Sequence, residues 1–192
     1  MKPEDAPKSL ADLLDPKWSG KMVKAHPSYS GTILTATFQT ARDLGWGFYE
    51  QLAKQKVMQV QSATEPPKKL SLGERSIMVD GNDYVLMQLK AEGNPVEIIY
   101  ATDGSPLIIS PSAVMKNAPN PNAARLFQNF LYTVEGQQYL VDVGFMRSFH
   151  PQVKPRAGVP GLADVKIMKE DAAAVVEQVE AIKERYRKLF GT

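Results

Sequence analysis

The chain has 192 residues, with 23 Lys plus Arg against 21 Asp plus Glu, a formal charge of +2 and 43% hydrophobic residues. That mix suits one large or two small soluble domains, and its scattered, balanced charge argues against nucleic acid as a partner, which requires a concentrated basic face. The absence of Cys excludes disulfides, thiol catalysis and thiolate metal sites; two histidines, His26 and His150, exclude a multi-histidine metal site within one chain; and no apolar run reaches membrane-spanning length.

The first ten residues, MKPEDAPKSL, lack the apolar core of a signal peptide, so an export signal is expected outside this chain or already removed. In SLADLLDPKWSGK, Ser9 serves as a cap and Leu10, Leu13 and Leu14 share a face. Pro16 and Gly20 then punctuate the chain, so a short helix and a turn are predicted here. Residues 21–27 read as a short strand. SYSGT then crowds hydroxyls and a glycine at the mouth of a helix predicted over 31–44, where Leu34, Phe38 and Ala41 recur at helical spacing. A second helix spans 45–55, packed through Trp46, Phe48 and Leu52.

The alternating KVMQVQS at 56–62 is a strand, and EPPKKLSLGE at 65–74 opens a short helix with prolines in its first turn. RSIMVDG at 75–81 is a buried strand, 82–93 a helix ended by Gly93, and NPVEIIYAT at 94–102 a strand rich in β-branched residues. Such alternation predicts an α/β layer with a largely parallel sheet. Beyond 102 the character changes. Residues 107–115 are extended and interrupted by proline, two helices follow at 122–133 and 134–144, and a Pro-rich stretch leads to a terminal helix over 169–190. Its Lys183, Arg185, Arg187 and Lys188 complement the negative end of that helix.

Three stretches, SLADLLDPKWSGKMV, LGERSIMVDGNDYVL and APNPNAARLFQNFLYTVEGQQYLVDVG, resemble the type II periplasmic solute-binding proteins of ABC importers. The resemblance is to family 1, in its ferric-ion-binding-like branch, and it covers nearly the whole chain. The first stretch lacks the family's leading Trp, and Thr133 and Val134 stand where Ser and a variable residue are usual. The family implies two α/β lobes joined by crossing strands, with ligand in the cleft between them. Residues 1–105 then resemble lobe two, a mainly parallel sheet flanked by helices. Residues 106–192 resemble a crossover strand, at 107–115, and the helical C-terminal part of lobe one, whose N-terminal portion lies outside this chain. The resemblance implies binding without catalysis, a membrane permease as partner and a periplasmic or extracellular location. The sequence itself carries no nucleophile elbow, P-loop, dinucleotide fingerprint or histidine–carboxylate motif, so no catalytic residue is expected.

Ser28, Tyr29, Ser30, Gly31 and Thr32 admit two readings from their chemistry: a helix cap, or an anion cradle built on helix N–H groups. The family's serine–glycine helix start implies the second, with phosphate or carbonate accompanying iron, or an acidic group of the ligand itself. In the ferric-binding branch two adjacent tyrosines hold Fe³⁺ through phenolates. Here Tyr84 stands at one such position and Val85 at the other, which leaves Tyr84 as a metal-ligand candidate, with Asp83 a hard oxygen donor nearby. No resident cofactor is implied; Fe³⁺ with a synergistic anion would be cargo. An organic anion such as a sugar phosphate or carboxylate is the alternative cargo, and a ligand-sensing regulatory domain or non-catalytic remnant the alternative role.

Asp80, Gly81 and Asn82 end a strand and enter a helix, and ligands of open α/β sheets collect at the carboxyl ends of strands. That places them on one rim with HPSYSG and with QSATEPP, whose Ser62, Thr64 and Glu65 come within reach. Turn and cap duty is the competing reading for each. His26 reads as a structural, hydrogen-bonded histidine, and Trp18 and Trp46 as packing. The helices after Pro121 carry Ala124, Phe127, Phe130 and Leu131 on one side, which predicts a partner surface, in a second copy as a homodimer or on the absent part of the lobe.

Overall fold

Met22–Ala25, four successive buried residues, form β1, a strand covered on both faces. The computed structural model describes residues 1–192, the side chain of Pro3 apart. Ser30 caps α1 (Gly31–Leu44), and Gly45, with φ at 81°, turns the chain into α2 (Trp46–Ala53). β2 (Met58–Val60) follows, then α3 (Glu65–Ser71), β3 (Ile77–Met78) and α4 (Asp83–Ala91). The three strands lie in the order β2-β1-β3, all parallel, with Lys24 opposite Gln59 and Val23 opposite Met78. Helical crossovers between neighbouring parallel strands are the connection such a sheet requires. The predicted α/β layer with a parallel sheet is therefore what folds.

The chain forms two compact units, Met1–Ile108 with Leu162–Thr192, and Ile109–Gly161. In the first, Leu13, Trp18, Met22, Phe48, Tyr49, Leu52, Ile77, Val79 and Tyr186 form the main core cluster. Leu34 and Phe38 of α1 pack against Val175 and Ile182 of α7 (Ala172–Phe190). A short parallel pair, β4 (Ser105–Pro106) with β5 (Ile167–Met168), docks beside α1. There the buried Gln39 amide donates to the Leu107 carbonyl at 2.8 Å and accepts from the Leu107 N–H at 2.9 Å, acting as one more rung of backbone.

Beyond small shifts of element ends, the structure departs from the sequence reading in three places. The β-branched run at 94–102 is irregular, because its N–H groups bond outside any ladder: Val96 to the Asn94 carbonyl, Ala101 to Ser105 Oγ and Thr102 to the Lys8 carbonyl. Strand preference is context-dependent, and without an adjacent edge it is not realised. No strand forms over 107–115, where the crossover is expected; β4 stops just before it at Ser105–Pro106, since Gln39 takes both backbone groups of Leu107 and Pro111 brings no donor. The terminal helix, grouped in sequence with 106–192, packs instead on α1 and α2 of the first unit, where Val175, Ile182 and Tyr186 find apolar cover.

The second unit is a helical hairpin, α5 (Pro121–Leu131) and α6 (Val134–Asp142). Thr133 joins them. Its hydroxyl donates to the Phe130 carbonyl at 2.7 Å and accepts from the Gly136 N–H at 3.1 Å. A Cβ at Gly136 would stand 2.3 Å from the Phe130 carbonyl oxygen, so only glycine permits this approach. α5 buries no residue, and Leu126, Phe127 and Phe130 lie exposed.

Candidate functional site

The carboxyl ends of β1, β2 and β3 feed three turns, residues 26–30, 61–64 and 79–82, which lead into α1, α3 and α4. Because the strands are parallel neighbours, these turns share one rim, the edge at which open α/β sheets take ligands. Every residue singled out in the sequence, from Ser28 to Tyr84, falls on these turns or on the first residues of the helices they enter.

At the centre is the mouth of α1. The Ser30 backbone is extended, with φ at −142°, and its hydroxyl accepts from the Ile33 N–H at 3.3 Å. The N–H groups of Gly31 and Thr32 precede that bond and have no partner within the helix. Gly31 is exposed, and a Cβ added there would meet nothing within 4 Å. Packing within the chain thus gives no reason for a glycine at this position. Ser28 and Tyr29 are exposed beside it, and Thr32 is half-buried.

His26 underpins this turn. Its N–H donates to the Val60 carbonyl at 2.8 Å, continuing the β1–β2 pairing, and its Nδ1 accepts from the Ser28 N–H at 3.0 Å. Burial, then the charges of Lys24 and Arg187, hold its pKa below the usual histidine range. The imidazole lies edge-to-face with Tyr186 of α7 at 5.0 Å.

The other two turns are more occupied by their own structure. Ser62 Oγ lies 2.8 Å from Thr64 Oγ1 and accepts from the Thr64 N–H, while Glu65 Oε1 accepts from the Ser62 N–H at 2.7 Å, so these side chains close the turn that precedes α3. Asn82 precedes α4, half-buried, and its side chain makes no cap bond. Asp83 accepts from the Tyr100 hydroxyl at 2.9 Å, and Tyr84 is half-buried one residue along. No group of three or more His, Asp or Glu side chains is placed to hold a metal among the described residues.

Asp80 faces inward. Its Oδ2 lies 2.9 Å from Lys24 Nζ, with the lysine side chain 0% and the aspartate side chain 10% exposed. Lys24 also reaches Thr37 Oγ1 at 3.4 Å and lies over the rings of Tyr49 and Tyr186. Burial pushes the lysine down and the carboxyl up, each resisted by the charge of the other. Burial likewise raises both phenols, so they stay neutral donors; Tyr186 donates to Gln59 Oε1 at 3.0 Å. Asp80 Oδ1, Gln59 Nε2 and His26 Nε2 are buried without a hydrogen-bond partner among the described residues. Sequence reasoning assigns Asp80 to the ligand and passes over Lys24. The available signal was a lone cation inside the apolar MVKA strand, which burial obliges to find a carboxylate.

The sequence profile of bacterial extracellular solute-binding proteins matches residues 1–172. An uncharacterized protein of Haemophilus influenzae is 28% identical over 140 residues, 70% of this chain and 40% of that one. The periplasmic binding protein AfuA from Actinobacillus pleuropneumoniae, solved with fructose-6-phosphate bound, superposes with a TM-score of 0.85 at 21% identity, covering 97% of this chain and 61% of its own. Iron-bound HitA from Pseudomonas aeruginosa superposes with a TM-score of 0.73 at 20% identity, covering 98% and 63%. At these identities the two structures establish the fold, and the chain spans less than two thirds of each.

Proposed function

The chain belongs to the bacterial extracellular solute-binding proteins, and on that premise we propose that it is the substrate-binding part of an ABC importer, taking a small anion at the mouth of α1. The observation that carries this reading is Gly31: exposed, at the first position of a 14-residue helix, beside open N–H groups, with clear space where a side chain would stand. A helix N-terminus carries about half a positive charge, and a glycine there lets an anion approach the backbone. Ser28, Tyr29, Ser30 and Thr32 surround the anion, and Ser62, Asn82 and Tyr84 complete the rim. The class best matched is a phosphate ester, the chemistry of the AfuA ligand.

Ferric ion with a synergistic anion is the second reading, favoured by Tyr84 on the rim and by the iron-bound HitA fold. In that case the same helix mouth holds the accompanying anion. Either role is binding without catalysis, with a membrane permease as partner and a location outside the cytoplasmic membrane. Among the described residues, no helix is long and apolar enough to cross a membrane. The exposed face of α5 supports self-association of the chain as a homodimer through that hairpin.

Calorimetric titration with fructose 6-phosphate, inorganic phosphate and Fe³⁺ plus carbonate tests the assignment. Saturable binding of a phosphate probe, lost in Gly31→Ala, supports the anion reading. A visible phenolate–iron absorbance, lost in Tyr84→Phe, supports the ferric one. Phosphate binding unchanged in Gly31→Ala refutes the placement at α1.

A further inference from the structure

We propose that His26 is the positioning residue of the anion cradle: it holds the turn that aims the α1 N–H groups without touching the ligand. This rests on the anion reading of the α1 mouth. The side chain of His26 is buried, and its Nδ1 accepts from the N–H two residues on, at Ser28. The backbone carbonyl of His26 accepts from the Tyr29 N–H at 3.2 Å, and Pro27 between them is fully buried. The residues from 26 to 29 are therefore closed twice, once by the main chain and once by the imidazole. One residue later the chain reaches Ser30 and its cap.

A ring nitrogen that accepts carries no proton, so the imidazole proton sits on Nε2 and the ring is neutral. Protonated at both nitrogens, the ring would present a donor to the donor of Ser28 and the second closure would open. The groups that face His26 come from three elements: Lys24 of β1, Arg187 and Tyr186 of α7, and Tyr29 of the turn. Both charged groups among them are cations, which favours the neutral ring.

Geometry also identifies the substitute. A side-chain acceptor to the N–H of residue i+2 is the bond that asparagine makes in an Asx-turn. Asparagine at 26 restores the acceptor at the Nδ1 position, whereas glutamine is one methylene too long to close the same ring. Both lose the contact of the imidazole with Tyr186. A role confined to the Tyr186 contact therefore predicts the same loss of affinity for both, and a positioning role through Ser28 separates them.

The test compares wild type, His26→Asn and His26→Gln in the complete chain. It measures urea midpoints, affinity for inorganic phosphate and fructose 6-phosphate, and the ¹⁵N shifts of the His26 ring. The expected result is destabilisation of both variants, the larger in His26→Gln, with affinity in His26→Asn within about twofold of wild type and in His26→Gln about tenfold weaker, the scale of one hydrogen bond. Wild-type ring shifts should report a proton on Nε2. Equal affinities in the two variants overturn the role of His26 while leaving the anion site standing, as does a wild-type proton on Nδ1. A wild type that binds neither probe overturns the anion site and this assignment together.

Discussion

Asp80→Ala strands the Lys24 ammonium in the core, and its cost follows from the burial of the pair. Lys24 has no exposed side-chain surface and Asp80 only 10%, so water does not screen their 2.9 Å contact. Breaking one partner of such a pair costs about 3–5 kcal/mol. An independent ceiling exists, because the lysine can instead release its proton. At pH 7 that costs about 1.4 kcal/mol for each unit below its ordinary value near 10.4, or about 5 kcal/mol in all. The two figures agree, and they are a large share of the roughly 5–15 kcal/mol that holds a domain folded. Urea unfolding followed by circular dichroism measures the loss. The pH dependence identifies its cause. In the variant the folded state binds fewer protons than the unfolded chain below about pH 10, so stability rises with pH from 7 to 10, more steeply than in wild type. Lys24→Met combined with Asp80→Asn removes both charges and should return stability to within about 1.5 kcal/mol of wild type. A loss under about 1 kcal/mol in Asp80→Ala, with no added slope in pH, would refute the buried pair.

Gly31→Ala meets no neighbour and sits in a helix, so stability should hold or rise by up to about 1 kcal/mol, while phosphate-ester affinity falls at least about tenfold; calorimetry and urea titration read the two separately. Burial lowers the folded pKa of His26, so its contribution to stability is complete above about pH 6.5 and is lost as pH falls through the lowered value. Urea midpoints at pH 8 and pH 5 should show that difference in wild type and a smaller one in His26→Asn. Gly136→Ala drives a methyl into the Phe130 carbonyl and should raise hydrogen exchange across 121–142, with exchange in α1 unchanged. Phe127→Ser with Phe130→Ser, both exposed, should shift a dimer to monomer in native mass spectrometry without lowering the urea midpoint; a persisting dimer refutes association through α5.

Period and punctuation made most of the fold legible. α1 appears over its predicted residues because Ser30 and Gly45 bracket an unbroken apolar face, and β1 because four buried residues stand between a turn and Pro27. The errors lie where a segment's partner is distant in sequence. Residues 94–102 have the composition of a strand, but their hydrogen bonds go to Lys8 and Ser105, which no local pattern reveals. The placement of α7 on α1 and α2 is a similar case, since its apolar stripe says that it packs and not upon what.

The rim was legible for a different reason: alternating strands and helices oblige the turns after parallel strands to share an edge. What each rim residue does there is decided by side-chain partners. Ser62 closes the turn before α3 with Thr64 and Glu65, Asp80 neutralises Lys24, and Ser30 caps α1. These three have internal reasons to be where they are, so their presence on the rim says little about a ligand. Gly31 has none, because its φ is ordinary and the space before it is open. A helix start ordinarily gains from a side chain at that position, as glycine costs up to about 1 kcal/mol relative to alanine inside a helix. A residue that gives up stability and fills no internal need is the one whose explanation lies outside the chain, which is why the proposed anion site is Gly31 and not the better-connected Asp80.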